Sequence, residues 1–240
     1  MLYGNCLSND WIKTPAQILF CAGVLVVPLR SLLGVVGGAQ FMPQTKFEIL
    51  RQQLAFLIEL DKLKSIVRQS PLINKSRREN SAEHSWHLAL FALTLSEHAE
   101  DVDPLHIVKL LLLHDVVEID AGDAPIHNQQ VDRAALAEHE FAAAKRIFGL
   151  LPDAQGQEML ALWLEFEEGK TPNARFAKAL DRLQPLLLNT LTDGGTWAEN
   201  GVSQQQVMER YGPTIEGGSP ILWHEAKELV RAHFESKTRE

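Results

Sequence analysis

The chain has 240 residues, 45% of them hydrophobic and 22% charged, with a net charge of −8. That is the composition of an ordinary globular protein, long enough to bury a core without staples. Its acidic balance argues against an extended nucleic-acid surface, which needs clustered Lys and Arg, but leaves room for a small phosphorylated ligand held by one or two arginines.

Cys6 and Cys21 are the two cysteines. With no C-x-x-C pair they form neither a disulfide framework nor a thiolate zinc site, and they fit a reducing, cytoplasmic compartment.

Residues 1–43 read as an N-terminal extension. Ala16 to Leu29 (AQILFCAGVLVVPL) is apolar for fourteen residues, interrupted by Pro28 and followed by Arg30. A membrane span needs about 20 apolar residues, so no stable membrane insertion is expected. Three readings fit: a disordered or loosely docked extension, a start assigned too early with Met42 as the true one, and a signal peptide with Lys13 before its apolar run and a small-residue GGA before Gln40.

From Thr45 the spacing predicts helices. FEILRQQLAFLIELDKLKSI sets Phe47, Leu50, Leu54, Leu57, Ile58 and Leu60 at three- and four-residue intervals, an amphipathic helix with Arg51 and Lys62 outside. Arg68 to Asn80 (RQSPLINKSRREN) reads as a polar connection, either a solvated loop or, through Arg68, Lys75, Arg77 and Arg78, an anion-binding one. At Ser81 to Glu100 a capping signature, Asn80 or Ser81 three before Glu83 or His84, opens a helix. Its density of Trp86, Leu88, Leu90, Phe91, Leu93 and Leu95 predicts that it is largely buried. Asp103–Pro104 starts the next helix, Leu105 to Glu118, with Gly122 as its stop. Further helices are predicted over Val131–Leu150, Gln157–Glu168, Pro172–Leu191, Ser203–Tyr211 and Ile221–Ser236. No stretch alternates as a strand. The expectation is one all-α domain over 44–236, a bundle of about seven or eight helices.

Chemistry concentrates in LLLHDVVEIDAGD, Leu111 to Asp123, where five polar groups end an apolar run. Such groups are costly to bury uncompensated. On one helix His114 and Glu118, four apart, share a face, as do Asp115 and Glu118, three apart. Imidazole with carboxylate suits a borderline divalent cation. One helix alone makes a weak site. A histidine at a helix start, such as His84, is ordinarily polar surface, whereas an Asp inside an apolar helix, Asp181, is rarer; with His114 and Asp115 they make a coherent His₂Asp₂ set. His87 reads as a helix residue and Asp120 as a solvated or capping group.

These residues, in the contexts RENSAEHSWH, LLLHDVVEIDAGD and AKALDRLQPLL, resemble the H…HD…D pattern of the HD superfamily of metal-dependent phosphohydrolases. The closer resemblance, over about 44–235, is to the branch of the bacterial 5′-deoxynucleotidases and their eukaryotic HD-domain relatives. It implies a single HD-domain helical bundle and one divalent metal ion (Co, Mn, Zn, Fe or Mg) on His84, His114, Asp115 and Asp181. It implies Glu118 as general acid or base, Asp123 as a second catalytic carboxylate, and Arg68, with help from Arg77 or Arg78, on the substrate phosphate. The implied activity is removal of the 5′-phosphate from (deoxy)nucleoside monophosphates by a metal-activated water. The implied partner is a small phosphoester, with a homodimer through the C-terminal helices also admitted.

The pattern departs in one place. Relatives carry an aromatic residue after the loop arginine, near the sugar, whereas Gln69, Ser70 and Pro71 follow Arg68 here. The resemblance therefore does not carry selection against a 2′-hydroxyl, and other phosphoesters, including a cyclic nucleotide or a nucleoside triphosphate, stay open. A non-catalytic metal- or nucleotide-binding regulatory module is the reading from another class; Glu118 and Asp123 argue against it.

Overall fold

The structure, a computed structural model, describes residues 44–124, 126 and 132–238, together with the backbone of 20–21 and 24–25. The chain divides into two units, Met1–Pro43 and Gln44–Glu240. In the first, β1 (Phe20–Cys21) pairs antiparallel with β2 (Val24–Leu25). The remaining expectations for the extension lie outside the described residues.

The second unit runs α1 (Lys46–Leu60), β3 (Val67–Pro71), β4 (Arg78–Asn80), α2 (Ser81–Leu95), α3 (Pro104–Leu113), α4 (Glu118–Ala121), α5 (Arg133–Phe148), α6 (Asp153–Glu168), α7 (Pro172–Leu191), α8 (Gly195–Glu199), α9 (Gln204–Gly218) and α10 (Pro220–Thr238). Eight of these helices have ten residues or more, which makes the bundle all-α in character. No helix among the described residues is long and apolar enough to cross a membrane.

Local chemistry sets several of the helix starts. Thr45 and Asn80 each close a capping box, with Glu48 and Glu83 respectively. Asp103 and Thr171 cap helices that carry proline in the first turn, where no amide proton is needed. The centre of the bundle is α7, whose Phe176, Ala177, Leu180 and Leu186 are fully buried. It packs against α2, α3, α6, α9 and α10. It approaches α9 closely at Gly218, where a Cβ would lie 2.5 Å from the Arg175 carbonyl and 2.6 Å from the Ala179 Cβ.

Four expectations need correction. On α1 the buried residue is Phe56, while Phe47, Leu50, Leu54, Leu57 and Ile58 face outward, Phe47 at 75% and Ile58 at 72% exposure. This helix is apolar on both sides, so its periodicity does not say which side packs. On α2, Trp86, Leu90 and Leu93 are likewise exposed. The polar connection after Arg68 is a short antiparallel pair, β3 with β4, Val67 opposite Asn80 and Pro71 opposite Arg78, with an irregularity between.

The fourth correction concerns the helix Leu105 to Glu118, which is not continuous. His114–Val117 form a 3₁₀ turn between α3 and α4. Residues three apart eclipse in a 3₁₀ turn, so Asp115 stacks over Glu118, and His114 no longer shares its face with Glu118 as an α-helix would require. The His114 ring contributes to the break: Nδ1 bonds the Leu111 carbonyl at 2.8 Å, which an uninterrupted α-helix would offer to the Asp115 amide alone.

Candidate functional site

Three elements carry the centre of the site. His84 lies on the first turn of α2, His114 on the 3₁₀ turn, and Asp181 midway along α7. One ligand atom from each falls within 4.8 Å of the others. His84 is completely buried, and His114 and Asp181 are buried as well.

Hydrogen bonds fix which nitrogen each imidazole presents. His114 uses Nδ1 on the Leu111 carbonyl, which must be a donation, so Nε2 carries a lone pair. That Nε2 is buried without a hydrogen-bond partner and lies 3.0 Å from Asp115 Oδ1 and 3.6 Å from Asp181 Oδ1. His84 presents its own Nε2 to Asp181 Oδ1 at 3.1 Å and to Asp115 Oδ2 at 3.9 Å. Two lone pairs and two carboxylates converging in a buried space repel one another unless a cation lies between them. The donor set of two imidazoles and two carboxylates therefore fits a divalent metal ion, which the site's chemistry does not restrict to one element.

Without a metal, protons take that role. Burial alone would lower the His114 pKa, but Asp115 and Asp181 outweigh it and raise it to about 9. Burial would likewise raise Asp181, yet Arg182 and the two histidines hold it well below the usual carboxylate range. Glu118 moves up, first through burial and then through Asp115, with Arg68 opposing.

A pH dependence follows. His114 and Glu118 bind protons more tightly folded than unfolded, so their stabilisation is complete below the unfolded pKa values of 6.5 and 4.5 and is lost as pH rises towards the raised folded values. The His114 part amounts to roughly 3 kcal/mol at most. Metal-stripped protein should lose about 5–10 °C in melting temperature between pH 6.5 and 9. Metal-saturated protein should not, because the ion replaces the proton. Parallel thermal melts in chelator and in excess Mn²⁺ check this; a metal-free melting temperature that rises over the window refutes it.

Arg68 closes the site from β3. Strand alternation turns Arg68 and Ser70 inward, and Arg68 Nη1 meets Asp115 Oδ2 at 2.8 Å, Glu118 Oε1 at 3.6 Å and Asp123 Oδ1 at 3.7 Å. Asp123 returns to this group because Gly122, at φ 76°, reverses the chain after α4 in a backbone region that disfavours side chains. Ser81 Oγ donates to Glu118 Oε2.

The same alternation keeps Arg78 out. On β4 Arg78 faces outward and Glu79 inward; Arg78 donates to the Gln69 carbonyl and, at 3.0 Å, to Glu199. Arg77 is bound to Glu83 instead, at 2.7 and 2.6 Å, and Asp120 pairs with Arg146.

A cavity of about 300 Å³ opens onto the cluster, lined by Arg68, His114, Asp115, Glu118, Asp123, Asp181 and also by Arg133, Glu140, Lys178 and Arg182. A smaller one, about 70 Å³, adjoins it through Arg68, Asp123 and Arg182 and is walled by Gln69, Ser70, Pro185, Thr196 and Tyr211. A larger cavity, about 540 Å³, lies elsewhere, between Glu97–Glu100, Arg175 and Pro220–Ile221, and contains none of these groups.

Lys178, Arg182, Glu79 and Gln184 are site residues that sequence reasoning passed over. A signal existed for two of them: Lys178, Asp181 and Gln184 recur at three-residue spacing on α7, a polar stripe in an apolar helix.

A family model described as HD domain matches residues 60–223. The chain belongs to the HD-domain family. It is 48% identical to a protein of Magnetospirillum magnetotacticum MS-1 described as a "Predicted metal-dependent phosphohydrolase", with a TM-score of 0.74 over 78% of this chain and 96% of that one. It is 32% identical over 139 residues to the 5′-deoxynucleotidase HDDC2 of Homo sapiens, covering 57% of this chain and 66% of that protein. With the Danio rerio 5′-deoxynucleotidase HDDC2 it shares 33% over 115 residues, 48% of this chain and 56% of the other. The chain thus spans between 56% and 66% of the length of these curated relatives. Membership of the HD-domain family and the shared fold imply a divalent metal for the cluster.

Proposed function

We propose that this HD-domain protein is a metal-dependent phosphohydrolase that removes the 5′-phosphate from (deoxy)nucleoside monophosphates. The observation that carries the proposal is the placing of Glu118, Asp123 and Arg68 within one cavity beside the His84–His114–Asp181 cluster. The names of the HDDC2 relatives and of the Magnetospirillum protein support it.

In this reading His84, His114, Asp115 and Asp181 hold the ion, which when bound lowers the pKa of its water and polarises the phosphoryl group. The chain's own groups do the rest. Arg68, kept charged by Asp115, Glu118 and Asp123 against its burial, binds phosphate oxygens, and Arg182 and Lys178 add positive charge at the cavity wall. Glu118 is raised by burial and by Asp115 and oriented by Ser81, so it holds a proton that it can give to the departing 5′-oxygen. Asp123, also raised by burial, lies 3.7 Å from the same Arg68 nitrogen and can take one up when ionised. Positioning and charge stabilisation of this kind supply most of what phosphoryl transfer requires.

The test is phosphate release from a panel of deoxy and ribo mononucleotides, cyclic nucleotides and triphosphates, each with Mn²⁺, Co²⁺, Mg²⁺ and Zn²⁺. Release from 5′-mononucleotides is the expected result; none from any of them with any metal ends the proposal. Gln69, standing where relatives carry an aromatic residue after the loop arginine, predicts weak discrimination between the deoxy and ribo forms.

The proposed compartment is the cytoplasm, supported by the cysteine content. The proposed assembly is a homodimer, supported by the outward apolar stripe Phe47, Leu50, Leu54, Leu57 and Ile58 on α1, because runs of exposed apolar side chains mark association surfaces. The C-terminal helices are the weaker choice, with Ile221 their one large exposed hydrophobic among the described residues. Light scattering should show a dimer that Leu54→Glu with Leu57→Glu converts to monomer without loss of helical signal. A monomeric wild type refutes the dimer.

A further inference from the structure

Behind the cluster lies a group of buried polar side chains that neither the ion nor the substrate touches in the mechanism above. Glu79 and Gln184 are 3% and 1% exposed. Gln184 Nε2 donates to Glu79 Oε2 at 2.9 Å and approaches His87 Nδ1 at 3.4 Å. Its Oε1 lies 3.1 Å from His84 Nδ1. The orientation of this amide is decided by charge: turned over, its carbonyl oxygen would face the Glu79 carboxylate in a dry interior, acceptor against acceptor. With the amide held in this sense, its oxygen can only accept, so His84 Nδ1 must carry the proton and Nε2 must present its lone pair to the cluster. The other carboxylate oxygen of Glu79 has no hydrogen-bond partner among the described residues. It lies 3.6 Å from His84 Nδ1 and 3.7 Å from Arg68 Nε, which is itself buried and unpartnered.

We infer that Glu79 is a positioning residue for metal binding: acting through the Gln184 amide, it fixes the tautomer and ring orientation in which His84 meets the ion. The inference rests on the proposed metal site. It is independent of which phosphoester is hydrolysed. Partners that orient a ligating imidazole in this way are worth about 10–100-fold in metal affinity.

The test measures Mn²⁺ affinity by competition with a chromogenic chelator and reads the His84 tautomer from ¹⁵N spectra of protein loaded with diamagnetic Zn²⁺. Wild type should show a hydrogen-bonded proton on His84 Nδ1. Gln184→Met should lose that signature and bind Mn²⁺ about 10–100-fold more weakly, and Glu79→Met should weaken binding in the same range. The reciprocal exchange Glu79→Gln with Gln184→Glu rebuilds the chain, since the amide introduced on β4 can then donate to the carboxylate introduced on α7, which accepts from His84 Nδ1. It should recover affinity to within a few-fold of wild type, a rescue that a merely space-filling role does not produce. Wild-type affinity in both single variants, or an exchange that binds no better than the weaker single, overturns the inference. Should a single variant fail to fold, the exchange decides alone: affinity more than about 10-fold below wild type overturns it. Because the readout is metal affinity, tight Mn²⁺ binding and rescue without nucleotide hydrolysis would sink the proposed function and uphold this inference.

Discussion

Replacing Asp181 with alanine is expected to strip the metal and abolish hydrolysis together. Asp181 Oδ1 is the oxygen in reach of both imidazoles, 3.1 Å from His84 Nε2 and 3.6 Å from His114 Nε2. Asp115 divides its oxygens between the two sides, Oδ1 3.0 Å from His114 Nε2 and Oδ2 on Arg68 at 2.8 Å. Losing a ligand costs more than losing a residue that orients one, so metal affinity should fall by more than roughly 100-fold, and hydrolysis at ordinary metal concentrations with it. A second effect appears in the metal-free protein. Asp181 has a folded pKa held below its unfolded value despite burial, so it stabilises the fold above the unfolded pKa of 3.8 and loses that contribution as pH falls. Removing it at neutral pH leaves Arg182, whose side chain is 36% exposed, and His114 without their shared counter-charge; His114 can release its proton in response, so the stability loss should be about 1–3 kcal/mol. Asp181→Asn keeps the shape and should show the metal loss with a smaller stability loss. Metal analysis and chelator-treated melts separate the two effects. One equivalent of tightly bound metal in Asp181→Ala would show that the ion is held elsewhere.

The parts of this architecture that could be read from the chain are those where polar groups interrupt apolar runs. His114, Asp115 and Asp181 stand out because burial makes an unpaired charge costly, and the structure does bring them together with His84, Glu118, Asp123 and Arg68. Helix starts at Asn80 and Asp103 were legible because capping is a local exchange of hydrogen bonds. Strands β3 and β4 were not, since their inward residues are Arg68, Ser70 and Glu79. Alternation is recognised by apolar residues facing a core, and here the strands face a polar site. Arg77 and Arg78 look equivalent to Arg68 in a basic run, and only the two-residue period of a strand separates them. The face of α1 was illegible for the opposite reason, an excess of apolar positions. The 3₁₀ turn at His114–Val117 left no compositional mark: it is set by tertiary contacts of His114, with its ring against Phe166 at 4.8 Å and its carbonyl accepting from Trp163 Nε1 at 3.2 Å.

That turn bears on the second large effect, expected for Glu118→Gln: the metal is kept and the rate is lost. In the 3₁₀ geometry Glu118 stacks on Asp115 rather than on His114. It sits beside the ligand set, bound to Ser81 and 3.6 Å from Arg68, without entering the cluster of His84, His114 and Asp181. Glutamine fills the same volume and accepts from Ser81, so metal content and melting temperature should stay close to wild type. What it cannot do is exchange a proton, and loss of a general acid or base costs about 10²–10⁴-fold in kcat. Either substitution gives a slow variant, so the combination is what discriminates: Asp181→Ala loses metal and rate, whereas Glu118→Gln loses rate alone. The pH profile adds a second discriminant. Wild-type kcat should fall on the alkaline side as Glu118, raised by burial and by Asp115, gives up its proton, and the residual activity of Glu118→Gln should lack that limb. Should Glu118→Gln retain the alkaline limb at reduced rate, the proton donor is another group, and Asp123, 3.7 Å from Arg68 Nη1, becomes the residue to replace.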